Sequence, residues 1–515
     1  MIAELVLALA LLLFTAPAAA ERIQTIHTAP PQRAQAQWWR RFKPRPWAVH
    51  LGRWVLDVLP RGVRHALLRR RADLVVMSDL HLAKGRAGGR YGPLEDFTED
   101  RAFVRLVHHL VRRQRRARRP LKLVLAGDTL DFLKVNSRRS PGDDTNTHPT
   151  AFVAVEKTKT IIQGHPRFFN ALRLLIREGH EVTVIPGNHD QELNFPQVQS
   201  LLRHTLAPKR GRRRVHFRPW FEVHGTALVE HGQRYEQMTS LASMLYPFER
   251  GQDEKLRLRS SAANYLVDEM LNRIKHDIPH LNYIPSGQQI FLEVARRRPQ
   301  EAMALVQFAD RIAKRIELGD PVKERAIAKE HDRALRAIAS SRTLRRAINR
   351  SRRALGMSAL SADRTYALLR RFDNLGAPPH LEQPKLEGGF LRRMLRMFRP
   401  EEMDKWFNPS EGSTYLEGQA FALAHLANVV VKGHTHSPEH SVMARAGGRR
   451  NHLVDAGTWT PVTLPGGGVR SPMTFVEVRQ GSGQPTVRLR RWDVELRRPV
   501  TVPPTRLAPR EFLSE

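Results

Sequence analysis

Apolar residues along this chain follow two rhythms. Short unbroken runs, Leu74 to Met77, Leu121 to Leu125, Val182 to Ile185, Ala227 to Val229 and Val429 to Val431, each end abruptly in polar residues. Apolar runs without alternation belong to strands buried on both faces, so the pattern predicts an α/β fold whose sheets are covered by other layers. Between about Glu236 and Leu416 this rhythm stops. Ala, Leu, Arg and Glu dominate there, with helical spacing from Ala302 through Ile316 and from Glu324 through Ile348. Residues 241–415 therefore read as a mostly helical insertion dividing one α/β domain into parts 73–240 and 416–498. Asn451 to Leu464 and Met473 to Trp492 predict two or three closing strands around the turn Gln480-Gly481-Ser482-Gly483, and 499–515 reads as an irregular tail.

The N-terminal region has its own pattern. In residues 1–20 an apolar run, Leu5 to Phe14, precedes Ala16-Pro17-Ala18-Ala19-Ala20, as in a signal peptide. Met1 to Glu4 lacks Lys and Arg, whereas Arg22, Arg33, Arg40 and Arg41 follow the run. That asymmetry favours a membrane anchor with the rest of the chain at the cytoplasmic face, export being the alternative. Residues 21–72 comprise a polar linker, Gln24 to Arg45, and a basic segment, Trp47 to Arg71, with Leu51, Trp54, Val55, Val58 and Leu59 at helical spacing. Such a segment suits an anionic membrane surface, and equally an ordinary helix packed on the domain.

Charge and cysteine content narrow the chemistry. The 515 residues carry a formal net charge of +34, which attracts polyanions: nucleic acid, an anionic membrane or a phosphorylated substrate. There is no cysteine, so disulfides and thiolate metal sites are excluded and any metal must be held by His, Asp, Asn or Glu.

Five polar clusters follow the five strand-like runs, where α/β sheets place their sites. Asp79 and His81 in Ser78-Asp79-Leu80-His81-Leu82 are separated by one residue, so on extended backbone both can face one cation. In Gly127-Asp128-Thr129-Leu130-Asp131 the glycine allows a tight turn that brings Asp128 to the sheet edge, while Asp131 could support a ligand or cap a helix. Gly187-Asn188-His189-Asp190 offers a neutral carbonyl ligand in Asn188 and a proton donor in His189. Glu230-His231-Gly232 and Gly433-His434-Thr435-His436 add three imidazoles. Each cluster alone is unremarkable in a loop; five in this order are not.

The series resembles the calcineurin-like metallophosphoesterase superfamily over about Asp73 to Ser240 and Leu416 to Trp492. The resemblance implies a four-layer α/β/β/α sandwich and a dinuclear centre. One ion would take Asp79, His81, Asp128 and His436, and the other Asp128, Asn188, His231 and His434. It also implies hydrolysis of a phosphate ester or anhydride, and there His189, oriented by Asp190, would stabilise the developing charge or protonate the leaving oxygen. The mixed N and O donors suit two divalent ions, Mn²⁺ favoured, with Fe, Zn²⁺ or Co²⁺ as alternatives. Asp455 in Asp455-Ala456-Gly457-Thr458-Trp459 stands where Asn is more typical. Ser78 to Leu82 and Gly433 to Pro438 are also similar to UDP-diacylglucosamine pyrophosphohydrolases, but His189 sits where those enzymes typically have Arg, and the insertion is longer. The alternative of a nuclease or a non-catalytic nucleic-acid-binding protein would use the basic runs Arg112 to Arg119 and Lys209 to Arg214, which lack interleaved aromatic residues.

Overall fold

The computed structural model describes most of residues 72–278, 321–376 and 413–504, all within the unit His65–Glu515. The expectations for residues 1–71 and for the periodic stretch Ala302 to Ile316 lie outside the described residues.

Strand β1 (Asp73–Met77) is followed by α1 (Asp100–Ala117), β2 (Leu121–Ala126), α2 (Ala151–Gly164), α3 (Pro166–Arg177), β3 (Glu181–Ile185), α4 (Pro196–Leu206) and the short β4 (Val215–Phe217). The chain then crosses to a second sheet through β5 (Phe221–His224) and β6 (Ala227–Glu230). Past a ribbon of β7 (Phe248–Arg250) and β8 (Leu256–Leu258), the insertion contributes α5 (Pro321–Ser340), α6 (Arg342–Ala354) and α7 (Ala362–Asn374). Helix α8 (Ser413–His425) leads back into the second sheet as β9 (Val429–Lys432), β10 (Glu439–Arg445) and β11 (Arg449–Asp455). The first sheet is completed by β12 (Thr474–Arg479), β13 (Thr486–Asp493) and β14 (Arg498–Thr501).

The first sheet has seven strands in the order β14-β13-β12-β1-β2-β3-β4, and the second has five in the order β10-β11-β9-β6-β5. Strands β1 to β4 pair in parallel, as do β6, β9 and β11, so the carboxyl ends within each parallel set converge on one edge.

Alternation along β1 explains the layering. Leu74 and Val76 face the second sheet and pack with Val229, Val431 and Val454, whereas Val75 and Met77 face away and pack with Phe103 and Leu106 of α1. Every side chain of β1 is thus buried, which is why the run shows no polar alternation. On the far side of the second sheet, Leu228 and Val430 pack with Leu335 of α5, Ile348 of α6, Phe372 of α7 and Ala422 of α8. The order of layers is helix, sheet, sheet, helix. In the described residues the insertion is therefore not a separate body: it supplies the outer helical layer of the second sheet.

Three details differ from the sequence reading. The periodicity from Glu324 to Ile348 is two helices, because the Ser341 hydroxyl accepts the Leu344 amide and starts α6 afresh. The insertion opens with the β7–β8 ribbon rather than with helix. The stretch from Pro499, read as irregular, begins inside β14; a residue without N–H is tolerated because β14 is an edge strand.

Two buried anchors yield expectations. Phe372 is fully buried between Trp220 and Phe421, with ring centroids 5.0 and 5.6 Å away. Phe372→Ala is expected to cost about 3 to 5 kcal/mol in denaturant unfolding, since it removes the wedge between the insertion and the second sheet. His165, at the start of α3, lies 3.3 Å from Glu95 and 3.2 Å from Asp100, and Glu95 also accepts the amides of Ala83, Gly85 and Phe97. Burial disfavours the imidazolium, but Asp100 and Glu95 outweigh it and raise its pKa from 6.5 to about 9. The stabilisation is complete below pH 6.5 and fades as pH rises through about 9. The stability difference between wild type and His165→Gln should accordingly shrink from pH 6.5 to pH 9.5 or so in urea titrations; a difference independent of pH would remove this assignment.

Candidate metal centre

Each predicted cluster sits where a strand stops. Asp79 and His81 follow β1, Asp128 follows β2, Asn188 to Asp190 follow β3, His231 follows β6, and His434 and His436 follow β9. The backbone leaves the strands sharply. Asp79, His81, Asp128, His434 and His436 all have positive φ, between 47° and 76°. For residues with a Cβ this conformation costs about 1 to 3 kcal/mol each, and five such residues at one place mark a site the surrounding fold holds against its local preference. Small residues make room for the convergence. A Cβ on Gly127 would lie 2.3 Å from the His231 ring, and one on Gly433 would lie 1.9 Å from Ser78 Oγ.

Backbone amides then fix the carboxylates. The His434 amide donates to Asp79 Oδ2 at 2.9 Å, and the His189 amide donates to Asp128 Oδ1 at 2.9 Å. The Asp79 carbonyl accepts from Thr458 Oγ1 and from the Trp459 amide, so the segment after β11 supports the first ligand turn from behind. Asp455 holds that segment in turn, accepting from Gly457 N and Thr435 Oγ1, with Lys432 Nζ at 3.3 Å.

All seven expected ligand positions come together. Ligand atoms of Asp79, His81 and His436 lie within 4.8 Å of one another, as do those of Asp128, His231 and His434. Asn188 Oδ1 joins the second group, 3.3 Å from His231 Nε2. A single oxygen links the two groups: Asp128 Oδ2 lies 3.7 Å from His81 Nε2 and 3.4 Å from His231 Nε2.

The donor set fits cations. Asp79 Oδ1 is buried with no hydrogen-bond donor aligned on it, although ring nitrogens of His436 and His81 lie 3.3 and 4.0 Å away. The Nε2 atoms of His81 and His436 face each other at 3.2 Å, and with its Nδ1 proton on Asp131 the His81 ring turns an Nε2 lone pair toward this gap, where a proton or a cation fits. The far nitrogens are already engaged: His231 Nδ1 donates to the Ala126 carbonyl at 2.9 Å, and His81 Nδ1 to Asp131 Oδ2 at 3.0 Å.

Electrostatics point the same way. Burial pushes the Asp79 carboxyl up, but His231 and His436 outweigh this and bring it down to about 2. Burial disfavours charge on His231, yet Asp128 and Asp79 raise its pKa to about 10. The carboxylates thus draw a proton onto His231 that a bound cation would displace.

The orienting partner of His189 corrects one expectation. His189 Nδ1 lies 3.1 Å from Asp131 Oδ1, and Asp190 does not hold it. Asp190 instead accepts the amides of Gly187 and Thr129 at 2.5 and 2.9 Å, which shapes the turn carrying Asn188. Asp131 thereby serves two imidazoles, His81 and His189, and makes no cap contact on the following turn. It is steadied by Lys134 Nζ at 2.7 Å, and Asp96 bridges Lys134 to Lys275 of the insertion. Two residues just before the insertion were not foreseen: Glu236 Oε2 lies 2.5 Å from His434 Nε2, and Thr239 Oγ1 lies 3.3 Å from the same atom. Neither follows from spacing, because their approach depends on how the chain turns after β6.

Residues 72–282 match the family model of the calcineurin-like phosphoesterases. The chain carries a calcineurin-like phosphoesterase domain. Such domains are metal-dependent phosphoric ester hydrolases, and this chain is an enzyme of that kind. No curated protein matches the chain. The matched range ends before the last motif of the domain, Gly433 to His436, which the insertion displaces along the sequence.

Because imidazole and carboxylate ligands must lose protons to bind, metal uptake by the apoprotein is expected to release protons and to weaken as pH falls from 8 to 5.5 or so. Titration of Mn²⁺ or Zn²⁺ in buffers of different ionisation enthalpy measures both effects; uptake without proton release would contradict the displaced proton on His231.

Proposed function

We propose that this phosphoesterase works with two divalent ions, one held by Asp79, His81, Asp128 and His436 and the other by Asp128, Asn188, His231 and His434. The observation that carries the reading is the position of Asp128 Oδ2 between both groups of donors, 3.7 Å from His81 and 3.4 Å from His231. Ions held there would supply a nucleophilic oxygen near neutral pH and neutralise phosphoryl charge. Mn²⁺ is the ion we favour for these mixed donors.

The chain's own residues complete the chemistry. Asp128 fixes the His189 backbone through its amide, and Asp131 fixes the ring through Nδ1, leaving Nε2 to give a proton to the departing oxygen. Burial lowers the His189 pKa, but Asp131 and Asp128 more than offset this and raise it, which favours the proton-carrying form needed for that step. His189 is 15% exposed at its side chain and His436 33%, so a phosphoryl group reaches the centre from their side.

The substrate class we propose is a phosphate ester or anhydride on an accessible, anionic molecule. A lipid pyrophosphate of the UDP-diacylglucosamine kind is the specific alternative, supported by the likeness of Ser78 to Leu82 and Gly433 to Pro438 and by the basic segment Trp47 to Arg71. Association of that segment with an anionic membrane face forms part of the proposal. Nucleic acid is less favoured: Arg113, Arg115 and Arg119 of the basic run are engaged with Glu477, Glu178 and Asp73.

A panel of generic phosphomonoesters, diesters and UDP-sugar lipids with added Mn²⁺, and His231→Ala as blank, tests the reading. His189→Ala is expected to lower kcat by about a hundredfold or more while metal content stays unchanged. Asp128→Asn should lower occupancy of both ions; two fully retained ions per chain in that variant would sink the shared-aspartate arrangement.

A further inference from the structure

The imidazoles of the centre do not all face it in the same way. His81 and His231 have their Nδ1 atoms engaged outward, on Asp131 and the Ala126 carbonyl, which leaves Nε2 for the centre. His436 points its Nε2 at Asp79 and His81. His434 is reversed: its Nε2 lies 2.5 Å from Glu236 Oε2 and so is taken up by a carboxylate. Thr239 Oγ1 donates to the Gln233 carbonyl at 2.9 Å and lies 3.1 Å from the same Glu236 oxygen and 3.3 Å from His434 Nε2, so the hydroxyl stands beside the His434–Glu236 pair. Glu236 is not part of the group in which Asp128, His231 and His434 bring ligand atoms within 4.8 Å of one another.

We propose that Glu236 is a positioning residue that accepts the Nε2 proton of His434 and thereby fixes the tautomer in which Nδ1 is the ligand. This inference rests on the dinuclear reading above and deepens it. A neutral imidazole carries one proton, and a carboxylate on one nitrogen places it there and makes the other nitrogen a better donor. Glu236 and Thr239 also lie just before the insertion, after the short turn Gln233–Tyr235. Two residues earlier, Arg234 is buried against Trp220, its guanidinium carbon 4.2 Å from the ring centroid, and donates to the Phe372 carbonyl at the end of α7. The segment bearing Glu236 is thus pinned to the outer helical layer, and that layer is what keeps Glu236 in place.

Metal affinity of apoprotein variants, measured by competition with a chromogenic chelator, separates the possibilities. Glu236→Ala is expected to weaken one of the two bound ions about ten- to a hundredfold and leave the other unchanged. Glu236→Gln keeps an oxygen that can accept the Nε2 proton and should recover most of that affinity. Thr239→Val, which removes only the hydroxyl, should fall between wild type and Glu236→Ala. Thermal unfolding of the apoproteins provides the control: a purely structural role would lower apoprotein stability in Glu236→Ala without a selective change at one ion. Wild-type affinity for both ions in Glu236→Ala, or equal losses in the Ala and Gln variants, would overturn the positioning role. A wild-type protein that takes up fewer than two ions would instead refute the dinuclear reading on which it stands.

Discussion

Everything at the centre depends on two carboxylates being held, charged and buried, at the ends of adjacent parallel strands. Asp79 and Asp128 are almost completely shielded from water, a placement that is unfavourable for isolated anions. What offsets it is a set of fixed dipoles and cations: the His434 amide on one carboxylate, the His189 amide on the other, and imidazoles on several sides. Those donors come from both sheets. The stacking of one sheet on the other, through Leu74, Val76, Val229, Val431 and Val454, is therefore also what assembles the site.

Much of this was legible in the amino-acid order. The strands around Val75, Val124, Val184, Val229 and Val430 stood out because they are buried on both faces, and the candidate ligands stood out because each cluster begins where a run ends. Partner choice was not legible. Asp190 follows His189 directly, yet the turn aims its carboxylate at Gly187 and Thr129, while Asp131, many residues earlier, meets the imidazole. Adjacency in sequence says little about which side chains face one another across a turn, and two strand ends in parallel register say a great deal. The same holds for Glu236, whose partner is His434 on the other side of the insertion.

The insertion was readable as helical but not as to its place. Its apolar positions, Leu335, Ile348, Leu369 and Phe372, cover Leu228 and Val430, so the composition that looked like a separate element is the missing layer of the second sheet. Its opening segment turns instead toward the centre: Asn264 donates to the Asn188 carbonyl, Asn272 to the Leu133 carbonyl, and Lys275 pairs with Asp96. A π-turn at Val267–Leu271 lies between those contacts, a local irregularity of the sort that accompanies specific demands on side-chain direction.

The strand order carries a consequence for biosynthesis. In the first sheet β1 lies between β2 and β12, with Leu74 paired to Val478, so the earliest strand of the sheet waits for one of the last. While the intervening chain is being made, the unpaired edge of β1 and the apolar face of Leu74 and Val76 remain open to other partners, and pairings between distant segments form slowly. A nascent chain arrested before Thr474 would stay sensitive to protease, whereas one extended past Thr501 would resist it.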